Sequence, residues 1–265
     1  MEGGTGAEAG TAEGGGSDGG NCAGMAISLS LNVAAASDPA AQRVMVDLAS
    51  DLPIGNALRT LEWWAYVLPT SWKGDANTMF EYGDQAVTNG GFGLDFGTTQ
   101  TATMGTIDPY TNGTFDNDNQ PSGIANPGTA QWIHFALSWD GTAVRAFVNG
   151  VEEATKMGGG MLATDRTQLT IGGNPRGAYF NGNIDEFRVW NTARTAAQIT
   201  STMHKTLAGN ETGLVGYWKF DETTGMTAAD STTTAGHTAH PGTLMSATGM
   251  ALPTWIPSTA PISCP

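Results

Sequence analysis

The most informative segment of this 265-residue chain reads Asn183-Ile184-Asp185-Glu186-Phe187-Arg188-Val189-Trp190. Its β-branched and aromatic residues predict a strand. Because successive side chains of a strand point to opposite faces, we expect one face to carry Ile184, Glu186, Arg188 and Trp190. The other face then carries Asp185 beside Phe187 and Val189. A carboxylate among such apolar neighbours needs a partner, because its burial is otherwise costly.

Segments of similar character recur from residue 25 onward, separated by Gly, Asn, Asp and Pro. Trp132–Trp139 and Thr142–Val148 are joined by Asp140-Gly141, which is a strong hairpin signal. The other predicted strands are Ala26–Val33, Arg43–Leu48, Arg59–Leu68, Thr78–Tyr82, Gly91–Phe96, Ala102–Ile107, Gln168–Gly172 and Gly213–Asp221.

One segment has helical periodicity. Thr195–Leu207 places apolar side chains on one helical face, at Ile199, Met203 and Leu207. Thr195 can cap the start of this helix and Gly209 its end. A β-rich chain with one short helix predicts an all-β fold with two antiparallel sheets.

The composition excludes two classes of partner. The chain has 25 acidic and 11 basic residues, and its net charge of −14 repels the phosphates of nucleic acids and anionic lipids. It has no apolar run of about 18 residues, so we expect no membrane-spanning segment. The acidity suits extracellular solubility and the binding of cations.

The N-terminal region differs from the rest of the chain. Its first 20 residues contain nine glycines, four acids and no base, so we predict a disordered Gly- and acid-rich linker over residues 1–21 and a folded domain over residues 22–265. Met1 is followed by Glu2, where a signal peptide would have a basic start and an apolar core. We expect that a signal peptide has been removed and that the protein is extracellular or tethered to the cell surface.

The chain has two cysteines, Cys22 and Cys264, one near each end of the predicted domain. In a secreted protein this arrangement predicts one disulfide that ties the termini together. The alternative is two free thiols in a reducing compartment. No Cys-x-x-Cys motif occurs, so we expect neither redox catalysis nor a cysteine-based zinc site.

Several segments together carry a family resemblance. Asn183–Trp190 with the helix that follows resembles the closing strand of laminin-G-like domains, which are concanavalin A-like lectin/glucanase jelly rolls. Leu61–Val67 resembles the early Ile-Glu-x-Trp strand of this family, and Trp132–Gly150 resembles its Trp-x-His hairpin. The resemblance covers about residues 40–222 and implies a jelly-roll sandwich. Gly213–Glu222 resembles the family's opening strand but stands after the closing strand, so either the domain is permuted or a truncated second unit begins there. We expect the C-terminal segment to dock on the domain.

A calcium ion is one candidate partner for Asp185, since calcium binds carboxylates and backbone carbonyls. The resemblance implies the same, because members of this superfamily often bind a structural calcium ion through the aspartate of this strand. Asp221 or Glu222 would then complete the site. The alternative is an aspartate that only accepts backbone hydrogen bonds. We expect Glu186 and Arg188 to be structural, with Glu62 as a cross-strand partner.

Two other groups of residues are candidates for binding. Trp72, Asp75 and Asn77 belong to a turn-rich loop, and an exposed indole beside polar groups is typical of a sugar site. His237 and His240 form a His-x-x-His pair, but no third metal ligand stands at a credible spacing in the sequence, so we interpret them as part of a loop.

These observations predict a non-catalytic module that binds a glycan or polysaccharide and holds a structural calcium ion. The alternative is a protein–protein adhesion or surface-assembly domain whose partner is a surface protein. A glycoside hydrolase is disfavoured, because a retaining enzyme needs two carboxylates about 5 Å apart. The Glu-x-Asp-x-x-Glu strand that supplies them in related jelly rolls is missing.

Overall fold

The computed structural model describes residues 24–29, 42–46, 51–68, 77–97, 104–116, 120–125, 129–158, 160–166, 168–174, 180–246 and 251–263. Within these ranges the chain forms two antiparallel sheets and one helix, which confirms the predicted all-β sandwich. The described residues contain no helix long and apolar enough to cross a membrane.

The first sheet has the strand order β10-β9-β8-β3-β12-β1-β16, with β13 also paired to β12. Its strands are β1 (Met25–Leu29), β3 (Arg59–Val67), β8 (Gln131–Trp139), β9 (Ala143–Val148), β10 (Val151–Met157), β12 (Gly182–Trp190), β13 (Leu214–Trp218) and β16 (Thr254–Pro257).

The second sheet has the order β14-β15-β2-β11-β4-β5-β6-β7. Its strands are β2 (Arg43–Val46), β4 (Thr78–Tyr82), β5 (Phe92–Gly97), β6 (Met104–Tyr110), β7 (Gln120–Ala125), β11 (Leu169–Ile171), β14 (Thr227–Ala228) and β15 (Gly242–Met245).

Aromatic side chains from both sheets fill the core between them. The ring of Trp63 in β3 lies 5.0 Å from that of Phe80 in β4, in an edge-on contact between the sheets. The same indole stacks on Phe135 and Phe187 of its own sheet, with ring centroids 5.8 and 5.6 Å away. Trp63 is therefore a central contact between the two layers.

A bulge in β12 changes the side-chain alternation predicted for this strand. Asp185 pairs with Trp64 and Arg188 pairs with Glu62, so one extra residue of β12 is inserted between these pairs. Glu186 adopts a φ of 53°, a left-handed conformation that costs a non-glycine residue about 1–3 kcal/mol.

The bulge moves Asp185 to the outer face of the first sheet. Ile184, Phe187 and Val189 all belong to the core, and Asp185 pairs with Trp64, whose side chain packs in a separate cluster outside that core. The prediction that Asp185 shares a face with Phe187 and Val189 is therefore wrong, as is the placement of Ile184 on the opposite face.

The helix α1 spans Ala196–Thr202 and covers part of the outer face of the first sheet. Thr195 caps its start as predicted, and the side chain of Gln198 completes a capping box. Its buried residue Ile199 packs on Ala136 and Phe147. The helix ends earlier than predicted, with Met203 rather than Gly209 at its C-cap.

Two strands share one edge of β12. β1 pairs with its first half, where Ile27 lies opposite Ile184, and β13 pairs with its second half, where Trp218 lies opposite Phe187. β16 then pairs with β1. Residues 1–21 and both Cys22 and Cys264 lie outside the described residues, so the linker and the disulfide stay predictions.

We expect Trp63→Ala to lower the free energy of unfolding by about 3–5 kcal/mol, because the truncation leaves a cavity between the sheets. Chemical denaturation monitored by circular dichroism measures this change. Trp132→Ala, which removes the same side chain from a partly exposed position, is the control and should cost clearly less. Equal losses in the two variants would contradict the central role of Trp63.

Candidate functional site

Strand β12 contributes two residues to a group of buried charges on the outer face of the first sheet. We call Glu62, Glu186, Arg188 and Arg194 the buried ion cluster. Oε1 of Glu62 accepts hydrogen bonds from Nη1 of Arg194 at 2.7 Å and Nη1 of Arg188 at 3.4 Å. Oε2 of Glu186 accepts from Nη2 of Arg188 at 2.5 Å and from the hydroxyl of Tyr217. Two carboxylates thus balance two guanidinium groups.

The buried ion cluster also fastens the helix to the sheet. Arg188 donates to the backbone carbonyls of Thr202 and Lys205, at and beyond the end of α1. Although burial opposes it, the negative charge of Glu186 and then of Glu62 raises the pKa of Arg188. The predicted pairing of Arg188 with Glu62 is confirmed, and the side chains of this cluster have structural partners.

Asp185 and Asp221 form a second acidic group, which we call the carboxylate pair. Asp185 is fully buried, and its oxygens accept hydrogen bonds from the N–H of Glu186 at 2.8 Å and the hydroxyl of Ser258 at 2.6 Å. Burial raises the pKa of Asp185 well above its usual value, and the neighbouring charges of Glu186 and Asp221 add to the rise. The structure therefore brings two of the three predicted metal ligands near one another.

The chain is closely fitted around Asp221. Its Oδ1 accepts a hydrogen bond from the N–H of Met25 at 3.0 Å, and a Cβ atom on Gly24 would lie only 1.9 Å from that oxygen. Glu222, the third predicted ligand, instead accepts a hydrogen bond from the N–H of Ala229 at 2.7 Å. Its Oε2 is buried without a hydrogen-bond partner among the described residues.

The outer side of the second sheet carries a row of paired residues across five strands. Directly paired residues of antiparallel strands lie on the same face, and the register connects Met45, Thr170, Glu81, Gly93 and Tyr110 in this order. Their neighbours along the strands, such as Phe80 and Leu94, belong to the core. The row therefore faces away from the core.

Beside this row, Thr78 pairs with Asp95, and Asp95 pairs with Asp108. We call the outward residues of both rows the polar face: Thr78, Glu81, Gly93, Asp95, Asp108, Tyr110 and Thr170. Thr170 contributes a buried hydroxyl that has no hydrogen-bond partner among the described residues.

An aromatic ring lies over the polar face at Gly93. A Cβ atom at this position would lie 2.3 Å from Cζ of Tyr110, so only glycine leaves room for the ring. Glu81, beside Gly93 in the row, is held by the side chains of Gln85, at 2.8 Å, and Gln168. The glycine between Phe92 and Leu94 in a strand pattern is a sequence signal of such a close approach.

Of the three residues predicted to bind sugar, the structure describes only Asn77. It directly precedes β4 and is 8% exposed, next to Thr78 of the polar face. Trp72 and Asp75 lie outside the described residues.

A cleft of about 200 Å³ opens beside α1. It is lined in part by Arg145, whose guanidinium is paired with Asp140 at 3.1 Å and Glu152 at 3.0 Å. Ligand pockets typically start at about 300 Å³, so this cleft is a weaker candidate than the polar face.

Comparison with known proteins identifies the family. A family model described as the concanavalin A-like lectin/glucanases superfamily, of laminin G type, matches residues 38–200. The chain belongs to this superfamily. The family resemblance expected from the sequence is confirmed, and the laminin G-like fold is that of a binding module.

Individual relatives share the fold or a short segment. A candidate carbohydrate-binding protein of Bacteroides ovatus ATCC 8483 superposes with a TM-score of 0.62 at 22% identity, over 90% of this chain and 61% of the other. Mouse and human pappalysin-1 are 35% and 33% identical over 78 residues, which are 28% of this laminin G-like chain. The chain spans about 5% of the length of these curated relatives.

We expect Glu62→Gln to lower the free energy of unfolding by about 3–5 kcal/mol, because it leaves buried guanidinium charge without its partner. Glu152→Gln is the matched control, since its ion pair with Arg145 has a carboxylate side chain that is 39% exposed and contributes about 1 kcal/mol or less. Thermal or urea unfolding of both variants checks the difference. A loss at Glu62 no larger than that at Glu152 would contradict the structural role of the cluster.

Proposed function

We propose that this chain is an extracellular, non-catalytic carbohydrate-binding module whose glycan lies on the polar face. The observation that carries the proposal is the partly exposed ring of Tyr110, which lies over Gly93. The partly exposed acids Asp95 and Asp108 lie in the neighbouring row. Glu81 is fully buried and supports this surface. Binding sites for small molecules combine apolar surface with a few fixed polar groups. A sugar ring offers apolar C–H groups to an aromatic ring and hydroxyl groups to acids and amides.

The polar groups nearby extend this surface. Asp95 and Asp108 lie opposite each other and are partly exposed. Asn174 and Thr78, whose side chains approach each other at 3.5 Å, are buried and support the surface. Trp72 and Asp75, which precede Asn77 by a few residues, stay part of the proposed site. Acids, amides and one aromatic ring suit a glycan better than they suit a protein partner, which is typically recognised by a flat apolar patch.

We also propose that the carboxylate pair holds a structural calcium ion. Asp185 and Asp221 offer only oxygen atoms, which calcium prefers, and the raised pKa of Asp185 reflects burial and negative neighbours. A bound cation supplies the positive charge that these groups need. Asp221 is the better second ligand, because its charge, unlike that of Glu222, is among those that raise the pKa of Asp185.

Asp95 and Asp108 lie opposite each other, so they are the residues to examine for hydrolase activity. Paired carboxylates can hydrolyse a glycosidic bond when they flank it, so the glycan that binds best is incubated with the protein and its products are analysed. We expect intact glycan. Cleavage that is lost in Asp95→Asn or Asp108→Asn would replace the proposal by a hydrolase function.

We expect Tyr110→Ala to weaken glycan binding at least about tenfold, which corresponds to about 1.4 kcal/mol, because the ring that contacts the sugar is removed. A glycan array identifies the ligand, and calorimetric titration measures the affinity. Tyr66→Ala removes a partly buried tyrosine from the other sheet and should bind as the parent protein does. Unchanged affinity in Tyr110→Ala would remove the polar face as the site, and an array without any hit would favour the protein-adhesion alternative.

We expect calcium to raise the melting temperature of chelator-treated protein, because an ion that binds only the folded state stabilises it. Asp221→Asn, at an exposed position, should abolish this rise, whereas Glu222→Gln should keep it. Differential scanning calorimetry with and without calcium provides the measurement. A full calcium response in Asp221→Asn would exclude the carboxylate pair.

A further inference from the structure

A third group of titratable side chains lies at the edge of the second sheet, away from the polar face. Asp51 stands between β2 and β3, and His237 and His240 stand between β14 and β15. Because β15 pairs with β2, these two connections meet. Asp51 and His237 are 186 positions apart in sequence, which is why the His-x-x-His pair had no visible third ligand.

One carboxylate faces both imidazole rings. Oδ2 of Asp51 lies 2.8 Å from Nδ1 of His237, and Oδ1 lies 2.6 Å from Nε2 of His240. The two imidazole rings have their centroids 5.1 Å apart. The side chains of His237 and His240 are 5% and 0% exposed, whereas that of Asp51 is 27% exposed. The three groups therefore converge at a point that solvent reaches from the side of Asp51.

The second nitrogen of His237 is fixed by another acid. Nε2 lies 2.8 Å from Oδ2 of Asp230, whose side chain is completely buried. The other bonds of Asp230 come from backbone N–H groups, at Tyr217, Thr232 and His240. All of these backbone groups donate hydrogen bonds to Asp230. Nε2 of His237 therefore also carries a hydrogen and donates it to the carboxylate of Asp230.

This arrangement leaves the lone pair of His237 Nδ1 directed at an oxygen of Asp51. Two electron-pair acceptors 2.8 Å apart repel each other unless a second proton or a metal ion lies between them. A histidine that donates one ring N–H to a carboxylate while its other nitrogen faces a shared centre is the typical outer-shell arrangement of protein metal sites.

We propose that Asp51, His237 and His240 bind a divalent transition-metal ion of the zinc class, with Asp230 orienting His237. Their ligand atoms all lie within 4.8 Å of one another, and zinc binds histidine nitrogen and carboxylate oxygen at about 2.0–2.2 Å, so small movements let one ion contact all three. Two imidazoles and one carboxylate favour zinc, cobalt, nickel or copper over calcium. The solvent side of Asp51 leaves room for a fourth ligand such as water.

The ion would link two distant parts of the chain. It would join the β2–β3 connection to the β14–β15 connection, next to Trp218, whose indole N–H donates to the carbonyl of His240 at 2.8 Å. Because the ligands come together only in the folded chain, ion binding should stabilise the protein. This proposal is independent of glycan and calcium binding.

The test titrates chelator-treated protein with zinc by calorimetry and with cobalt by visible absorption. We expect one ion per chain, the intense visible bands of four-coordinate cobalt, and no displacement by excess calcium. His240→Gln and Asp51→Asn should lose zinc affinity by more than about tenfold, and Asp230→Asn should lose about 10–100-fold because it removes the orienting contact. His204→Gln, at an exposed histidine, is the matched control and should bind zinc as the parent protein does.

A measurement on the unaltered chain keeps the proposal testable if a variant fails to fold. The protein has four histidines, and we expect zinc to shift the ring resonances of two of them in NMR spectra. No zinc binding, or a His237 ring that carries two protons and does not respond to zinc, would overturn the proposal. Zinc binding that persists in Asp51→Asn and His240→Gln would overturn it as well.

Discussion

The carboxylate of Glu62 is the contact on which the outer layer of the first sheet depends. It accepts hydrogen bonds from the guanidinium groups of Arg188 and Arg194 and from the indole of Trp190. Removing such a charge from water is costly, and the three hydrogen bonds to Oε1 offset part of that cost, while Oε2 is buried without a hydrogen-bond partner among the described residues. These contacts fix the positions of β3, β12 and the chain around α1 relative to one another. The helix α1 packs on the outer face of the sheet beside them.

Local patterns in the sequence predicted much of the fold, because alternation, hairpin signals and caps act over a few residues. The β8–β9 hairpin and the cap at Thr195 are examples. The bulge at Glu186 was not predictable in this way. Its left-handed backbone is disfavoured locally, and it exists because the ion pair with Arg188 and the core packing of Phe187 together outweigh that cost. β10 was also missed, since it alternates weakly and lies largely exposed.

The candidate sites were predictable only where their residues are near in sequence or carry a family resemblance. Asp185 and Asp221 were named together because of the resemblance. The polar face is made by the register of separate strands, so Glu81 and Tyr110 could not be joined from the sequence alone. Asp51 approaches His237 only through the pairing of β15 with β2. Contacts of this kind are set by topology, and one sequence does not encode them in any local pattern.

The pairing of β1 with β16 has a mechanical consequence. Met25, at the start of β1, lies opposite Pro257, at the end of β16, and the chain beyond Pro257 packs through Ala260 and Ile262 against Trp64. A force that pulls the two ends apart would first detach this C-terminal segment and would then load the hydrogen bonds of the β1–β16 pair one at a time, which is the geometry of unzipping and resists little. A covalent link between Cys22 and Cys264 would take that load before it reached the sheet.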